Sequence, residues 1–260
     1  MRSIRLAALA SLVIVCSGCF HMTTVLKVNG DGAGTIDHSM VFTNAALVQL
    51  RQLAAFAGAR GQNFDPLSEQ QARDMASVIG EGVTFVSSRP IVTAGGQGRE
   101  STYAFADVNQ LKISTQPATP GGVKAPGLGE SETVAFSLTH EAGGTAVLHI
   151  HVPEPNWIGS IGTLSASGQL ATIKTLLGGA RILLAVEPAG PLVRTSSPYV
   201  EGQRVALLEV DLDEILKDET FLARLSAAKT QEEVADIVRR AAGLKINLDR
   251  EITVEFTPVK

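Results

Sequence analysis

Short runs of alternating apolar and polar residues, arriving in neighbouring pairs around glycine-rich turns, constrain this chain more than any other feature of its 260 residues. Alternation with period two buries one face of a strand, and two such runs joined by a tight turn read as a hairpin. Residues 22–28 and 35–42 flank Asn29-Gly-Asp-Gly-Ala-Gly34, so Leu26, Val28, Ile36, Met40 and Phe42 can share one face. A second hairpin spans residues 133–152, and its register can be derived. A three-residue loop, Ala142-Gly-Gly144, sets Val134, Phe136 and Leu138 on the face of Leu148, Ile150 and Val152. The opposite face then carries Ser137, Thr139, His149 and His151. A slip of one residue would mix the two sets.

Helical signals lie between the strand pairs. One helix is expected from Thr43 or Asn44, with Leu47, Leu50, Ala54 and Ala57 in a stripe; another is capped by Ser68 with Gln71 three residues on and ends at Gly80. Asp107 with Gln110 opens a short turn through Leu111. Helices are expected near 167–178, 213–217, 219–227 and 230–242, the last opened by Thr230 with Glu233. Further strands are read near 83–87, 90–93, 101–106, 181–186, 203–210 and 251–256. Paired strands with helices clustered between them predict an α+β fold, antiparallel sheet with helices packed mainly on one face. Residues 19–260 are read as a single domain, with residues 115–130, rich in Pro and Gly, as a flexible surface loop.

The first eighteen residues stand apart. Arg2 and Arg5 precede an apolar run from Leu6 to Val15, and small residues Ser17-Gly18 lead to Cys19. The run is about ten residues, whereas a spanning helix needs about 20. It therefore reads as an export signal rather than a permanent transmembrane helix. The segment resembles a bacterial lipoprotein signal, although Cys16 occupies the place where such signals carry an aliphatic residue. The resemblance implies cleavage before Cys19, lipidation of Cys19 and anchoring in the membrane by acyl chains. Phe20 after the cysteine, rather than Asp, implies the periplasmic side of the outer membrane in a cell with two membranes. An ordinary secretory signal cut near Gly18, leaving a thiol, is the other reading. Since Cys16 and Cys19 are the two cysteines, a lipidated mature chain has neither disulfide nor thiol chemistry.

Composition narrows the partners. Loss of Arg2 and Arg5 with the signal takes the formal charge from −4 to −6, and no basic stripe is present, so nucleic acid is not an expected partner. One Trp, two Tyr and nine Phe are too few for a stacked carbohydrate platform. Two histidines at i and i+2, His149 and His151, project from one face of a strand about 7 Å apart, a spacing that zinc can bridge. His140 falls on the opposite face, and no carboxylate is placed as a third ligand, so a solvated strand face is the simpler reading of the pair. Asn29–Gly34 lacks the oxygen ligands of a calcium loop, because Ala33 and Met40 stand where acidic or amide residues belong. The acidic cluster of Asp211, Asp213, Glu214, Asp218 and Glu219 reads as helix caps and a solvated face. Ser165-Ala-Ser167-Gly168 is no nucleophile elbow, and no nucleotide cradle occurs. His38, among Ile36, Met40 and Phe42, is expected to be a hydrogen-bonded, partly buried histidine. No catalytic residue and no cofactor are expected.

Three stretches resemble those of bacterial lipoproteins: the Val28-Asn-Gly-Asp-Gly-Ala-Gly-Thr35 hairpin, Tyr103-Ala-Phe-Ala-Asp-Val-Asn-Gln-Leu111, and Gly190-Pro-Leu-Val-Arg-Thr-Ser-Ser-Pro-Tyr-Val-Glu-Gly202, the last of which is similar to a stretch of the LppM-like mycobacterial lipoproteins. That family is associated with membrane glycolipids. The resemblance implies a lipid-anchored α+β domain and transfers no catalytic residue. The function expected from the whole chain is a non-enzymatic, membrane-anchored envelope lipoprotein that binds a lipid, an apolar ligand or a partner protein. The alternative is a metal-dependent envelope hydrolase using His149 and His151.

Overall fold

The computed structural model describes residues 20–48, 51, 65–114, 133–153 and 179–259. Strands β1 (Phe20–Val28) and β2 (Gly34–Thr43) form the first hairpin, and residues 44–48 are helical. Helix α1 (Glu69–Ile79) leads into β3 (Gly80–Glu81), β4 (Thr84–Val92) and β5 (Gly96–Phe105). After a 3₁₀ turn at Val108–Gln110 come β6 (Lys112–Ser114), β7 (Thr133–His140) and β8 (Ala146–His151). The C-terminal part holds β9 (Arg181–Pro188), β10 (Leu192–Thr195), β11 (Val200–Glu201) and β12 (Arg204–Asp211). Helices α2 (Leu212–Lys217), α3 (Phe221–Ala227) and α4 (Gln231–Arg239) then precede β13 (Leu244–Ile246) and β14 (Glu251–Phe256).

The strands form two sheets. The large sheet runs β11-β12-β9-β1-β2-β5-β4, with β13 beside β12; the small sheet runs β10-β14-β8-β7-β6-β3. Among the described pairs, β1 with β9 is parallel and the others are antiparallel. Leu26, Ile36, Tyr103 and Phe105 of the large sheet meet Phe136, Leu148, Ile150 and Phe256 of the small sheet in one core cluster. This is sheet-on-sheet packing, with alternate residues of each strand turned inward.

Two of the places where the chain crosses between the sheets show how they are held together. Between β5 and β6, the Asp107 carboxylate caps the 3₁₀ turn by accepting from the Asn109 N–H at 2.9 Å, while the Val108 N–H donates to the Gly32 carbonyl at 2.7 Å. Between β9 and β10, Gly190 has φ +152°, and a Cβ there would lie 2.0 Å from the Thr257 carbonyl oxygen. Only glycine tolerates that approach.

Helix α1 closes one edge of the sandwich. Ser68 caps it by accepting from the Gln71 N–H at 3.1 Å, and Ala72, Met75, Ala76 and Ile79 face inward. The Tyr103 hydroxyl donates to the Ala72 carbonyl at 2.9 Å, and the Arg73 guanidinium sits 4.4 Å above the Phe85 ring. Helices α2–α4 instead build a second cluster, in which Ile215, Phe221, Leu225 and Val238 pack with Leu244 and Ile246 of β13.

The architecture corrects the expected α+β class. Among the described residues, fourteen strands face four α-helices of 6 to 11 residues and the short helical stretch at 44–48, and the fold is β-rich. Among the described residues the helices do not cover one face of a sheet: α1 lies at one edge and α2–α4 beside the strands of the other. The physical reason is that the main apolar faces cover each other. Two segments to which the sequence assigned no element, 192–195 and 244–246, pair as strands once a longer neighbour supplies the ladder. The two extended runs at 83–87 and 90–93 are one strand, β4, interrupted by a bulge; Pro90 is tolerated because β4 is the sheet edge. The helix expected at 167–178, the loop at 115–130 and most of the helix expected after Thr43 lie outside the described residues.

Candidate functional site

The second hairpin takes the register derived from its loop. Phe136 pairs with Ile150, Ser137 with His149 and Leu138 with Leu148, around a turn in which Gly144 has φ +84°. His149 and His151 therefore share the outward face of the small sheet. The neighbouring strand β14 pairs Thr253 with His149 and Glu251 with His151, and the Glu251 carboxylate reaches diagonally to Nδ1 of His149 at 2.7 Å. A carboxylate on one ring nitrogen orients an imidazole and holds its tautomer. His140 lies elsewhere, with its Nε2–H donating to the Gly30 carbonyl at 2.7 Å. Among the described residues, no group of three His, Cys, Asp or Glu side chains is arranged to hold a metal ion. Glu251 is the partner that reading the hairpin alone did not supply. Its signal was the alternation of Glu251, Thr253 and Glu255 with Ile252, Val254 and Phe256, which puts the acidic residues on the outward face.

The acidic cluster is structural at four of its five positions. Asp211 caps α2 through the Glu214 N–H at 3.2 Å and pairs with Arg181 at 2.9 Å. Asp213 accepts from the Gly179 N–H at 2.6 Å. Glu214 pairs with Lys217 at 2.5 Å. Asp218 accepts from both the backbone N–H and the hydroxyl of Thr220, which with Arg224 holds its carboxyl below the usual range.

His38 is buried more completely than the sequence implied, at 4% exposure. Its Nδ1 lies 2.9 Å from the Thr24 hydroxyl, and Nε2 has no hydrogen-bond partner among the described residues. Burial pushes its pKa down to about 4. Thr24, His38 and the equally buried Ser101 are register partners on three adjacent strands, β1, β2 and β5.

A concavity not anticipated from the sequence opens on the outer face of the large sheet. Its volume is about 420 Å³, and it is lined by Thr23, Leu183 and Ala206 from β1, β9 and β12 and by Tyr199 from the segment before β11. The Tyr199 carbonyl accepts from the Ala206 N–H at 2.9 Å, which holds that segment against the sheet. Four of the charged groups around it pair with one another, Arg181 with Asp211 at 2.9 Å and Lys245 with Glu209 at 2.7 Å, while Arg204 pairs with Glu187 at 3.2 Å and Glu201 also lines the rim. The cavity thus offers mixed polar and apolar surface without an uncompensated cation or anion from these pairs.

Cys19 lies outside the described residues, and β1 begins at the next residue, Phe20. Among the described residues no helix is long and apolar enough to cross a membrane. No family model matches the chain, and no curated protein matches it. Among solved structures, it is similar to the folded domain of the LppM protein of Mycobacterium tuberculosis, determined by NMR, with 9% identity, a TM-score of 0.34 and 95% of each chain covered. A likeness at that level transfers no residue and no activity.

Proposed function

We propose that this chain is a lipid-anchored, non-enzymatic protein of the bacterial cell envelope, acylated on Cys19, that binds a lipid or other apolar ligand. The observation that carries the reading is the export-type segment ending in Ser17-Gly18-Cys19, directly followed by a strand of the folded body. The cavity over Thr23 and Leu183 supports the ligand part. At about 420 Å³ it falls in the range of small-molecule pockets, about 300–1,000 Å³. The non-enzymatic part is supported by the use of the acidic cluster for caps and ion pairs. A partner protein is the other occupant to be tested.

Native mass spectrometry of detergent-extracted protein reads both parts at once. The expected spectrum shows the mass of the chain from Cys19 with its acyl groups, plus a co-purified lipid adduct that Leu183→Arg removes. A clean apo mass in every preparation overturns ligand binding. A Cys19→Ser protein that stays as firmly membrane-bound as the original overturns the anchor.

A further inference from the structure

We infer that one end of the large sheet, formed by the start of β1, the end of β2 and the β4–β5 turn, lies directly against the lipid bilayer. This rests on acylation of Cys19, and it adds an orientation and a contact surface to that reading.

The first argument is the length of the tether. One peptide unit, about 3.8 Å between Cα atoms, separates Cys19 from Phe20. Phe20 is already in the ladder, paired with Phe42 of β2, and His21 is paired with Arg181 of β9. Strand β1 is thus held on both sides from its second residue. An acyl group one residue upstream has no linker through which the body could swing away. The end of the sheet where β1 begins must sit at the membrane surface.

The second argument is the composition of that end. Register places Phe20, Phe42, Gln97 and Val92 in one row across β1, β2, β5 and β4. That row, the next one (His21, Val41, Gly98 and Ile91) and the β4–β5 turn at 93–96 contain no Asp, Glu, Lys or Arg; the first charged residue of these four strands is Arg99, in the third row beside Met40. Val92 is 79% exposed and Val48, just beyond β2, is 53% exposed. Val92 is the most exposed large hydrophobic side chain described within a strand. The turns at the far end of the same strands carry Asp31, after β1, and Asp107, after β5. Apolar residues standing at one end of a charged body, at the point where the lipid attaches, match the shallow insertion of a peripheral membrane protein. The acidic start of α2 also leaves from this end, at the β12 edge, next to Arg181. Contact is therefore confined to the β1–β2–β5–β4 half.

The test uses the full acylated chain in phosphatidylcholine vesicles, a neutral composition that removes charge effects. Because Cys16 leaves with the signal and Cys19 is blocked, one introduced cysteine is the sole free thiol. An environment-sensitive fluorophore is attached to Val92→Cys, to Val48→Cys or to Asp31→Cys, and vesicles are made with and without doxyl-labelled lipid. The expected result is about twofold quenching at positions 92 and 48, and essentially none at 31, for side chains seated at the headgroup boundary. If the protein floats with the vesicles but positions 92 and 48 are as unquenched as 31, the docking surface is wrong while the anchor stands. If Cys19→Ser floats with the vesicles as the original does, the anchor reading fails and the orientation fails with it.

Discussion

The small sheet turns Val134, Phe136, Leu148, Ile150, Ile252, Val254 and Phe256 toward the core, all of them apolar and nearly inaccessible. The large sheet, facing it, sets Thr24, His38 and Ser101 side by side across three strands in the middle of its own apolar face. The two inner faces meet in one core but respond to different variables. An apolar face is stabilised by removal of area from water and by dispersion contacts, neither of which depends on pH. A buried imidazole keeps its place only while neutral, because burial penalises the charged form.

The largest effect is expected on the apolar side. Phe256→Ala empties a fully buried aromatic position and should lower stability by about 3–5 kcal/mol. Urea unfolding at neutral pH measures it, and the loss should persist largely unchanged at pH 5. A loss well below about 1 kcal/mol would mean that the small sheet is not part of the main core.

The next effect belongs to the polar row. His38 titrates at about 4 in the folded chain and near the ordinary histidine value, about 6.5, in the unfolded one. Between those values the unfolded chain binds more protons, so stability falls as pH falls through the window from about 6.5 to about 4. The contribution lost reaches about 3 kcal/mol at the bottom of the window, since each unit is about 1.4 kcal/mol. His38→Met, which fills similar space without a titrating group, should remove that component. Parallel urea midpoints at pH 7 and pH 4.5 for the two proteins measure it. Identical pH slopes would show that the imidazole is not the source.

A smaller loss is expected where the large sheet meets α1. Tyr103→Phe keeps the ring in the core and removes the hydroxyl that donates to the Ala72 carbonyl, a change of about 1 kcal/mol. Hydrogen exchange should show it as faster opening of α1 with the small sheet unaffected. Equal loosening of both would mean that α1 is not held separately.

Local features of this chain were legible wherever they depend on neighbours in sequence. The Ala142-Gly-Gly144 loop set the hairpin register, and Ser68, Asp107 and Thr230 cap the elements they were read to cap. The sorting of strands between two sheets was not legible. Period-two alternation says which residues share a face and nothing about which distant strand lies beside them. The β1–β9 pairing joins strands more than 150 residues apart, and its only local trace is two apolar runs. β13 is three residues long and follows a turn at Gly243, past the end of α4 at Arg239, so it carries no alternation to read. Glu251 was not legible as the neighbour of His149 for the same reason: the two are 102 positions apart, and the β8–β14 ladder brings them together.

That outward pair supplies the smallest expected effect and the sharpest contrast with His38. Both histidines accept or donate one side-chain hydrogen bond through Nδ1, at 2.9 Å to Thr24 and 2.7 Å to Glu251. They differ in solvent: the His149 and Glu251 side chains are 28% and 50% exposed, whereas His38 is almost sealed. Water screens an exposed pair and replaces whatever bond is lost, so Glu251→Gln should change stability by no more than about 0.5 kcal/mol. The amide can still occupy the place of the carboxylate, and the small sheet keeps its apolar inner face. If thermal unfolding shows a shift of the size expected for His38→Met at low pH, the outward face of the small sheet is bearing load that its exposure does not explain. The division between a pH-blind sheet and a pH-sensitive one would then have to be redrawn around β8 and β14.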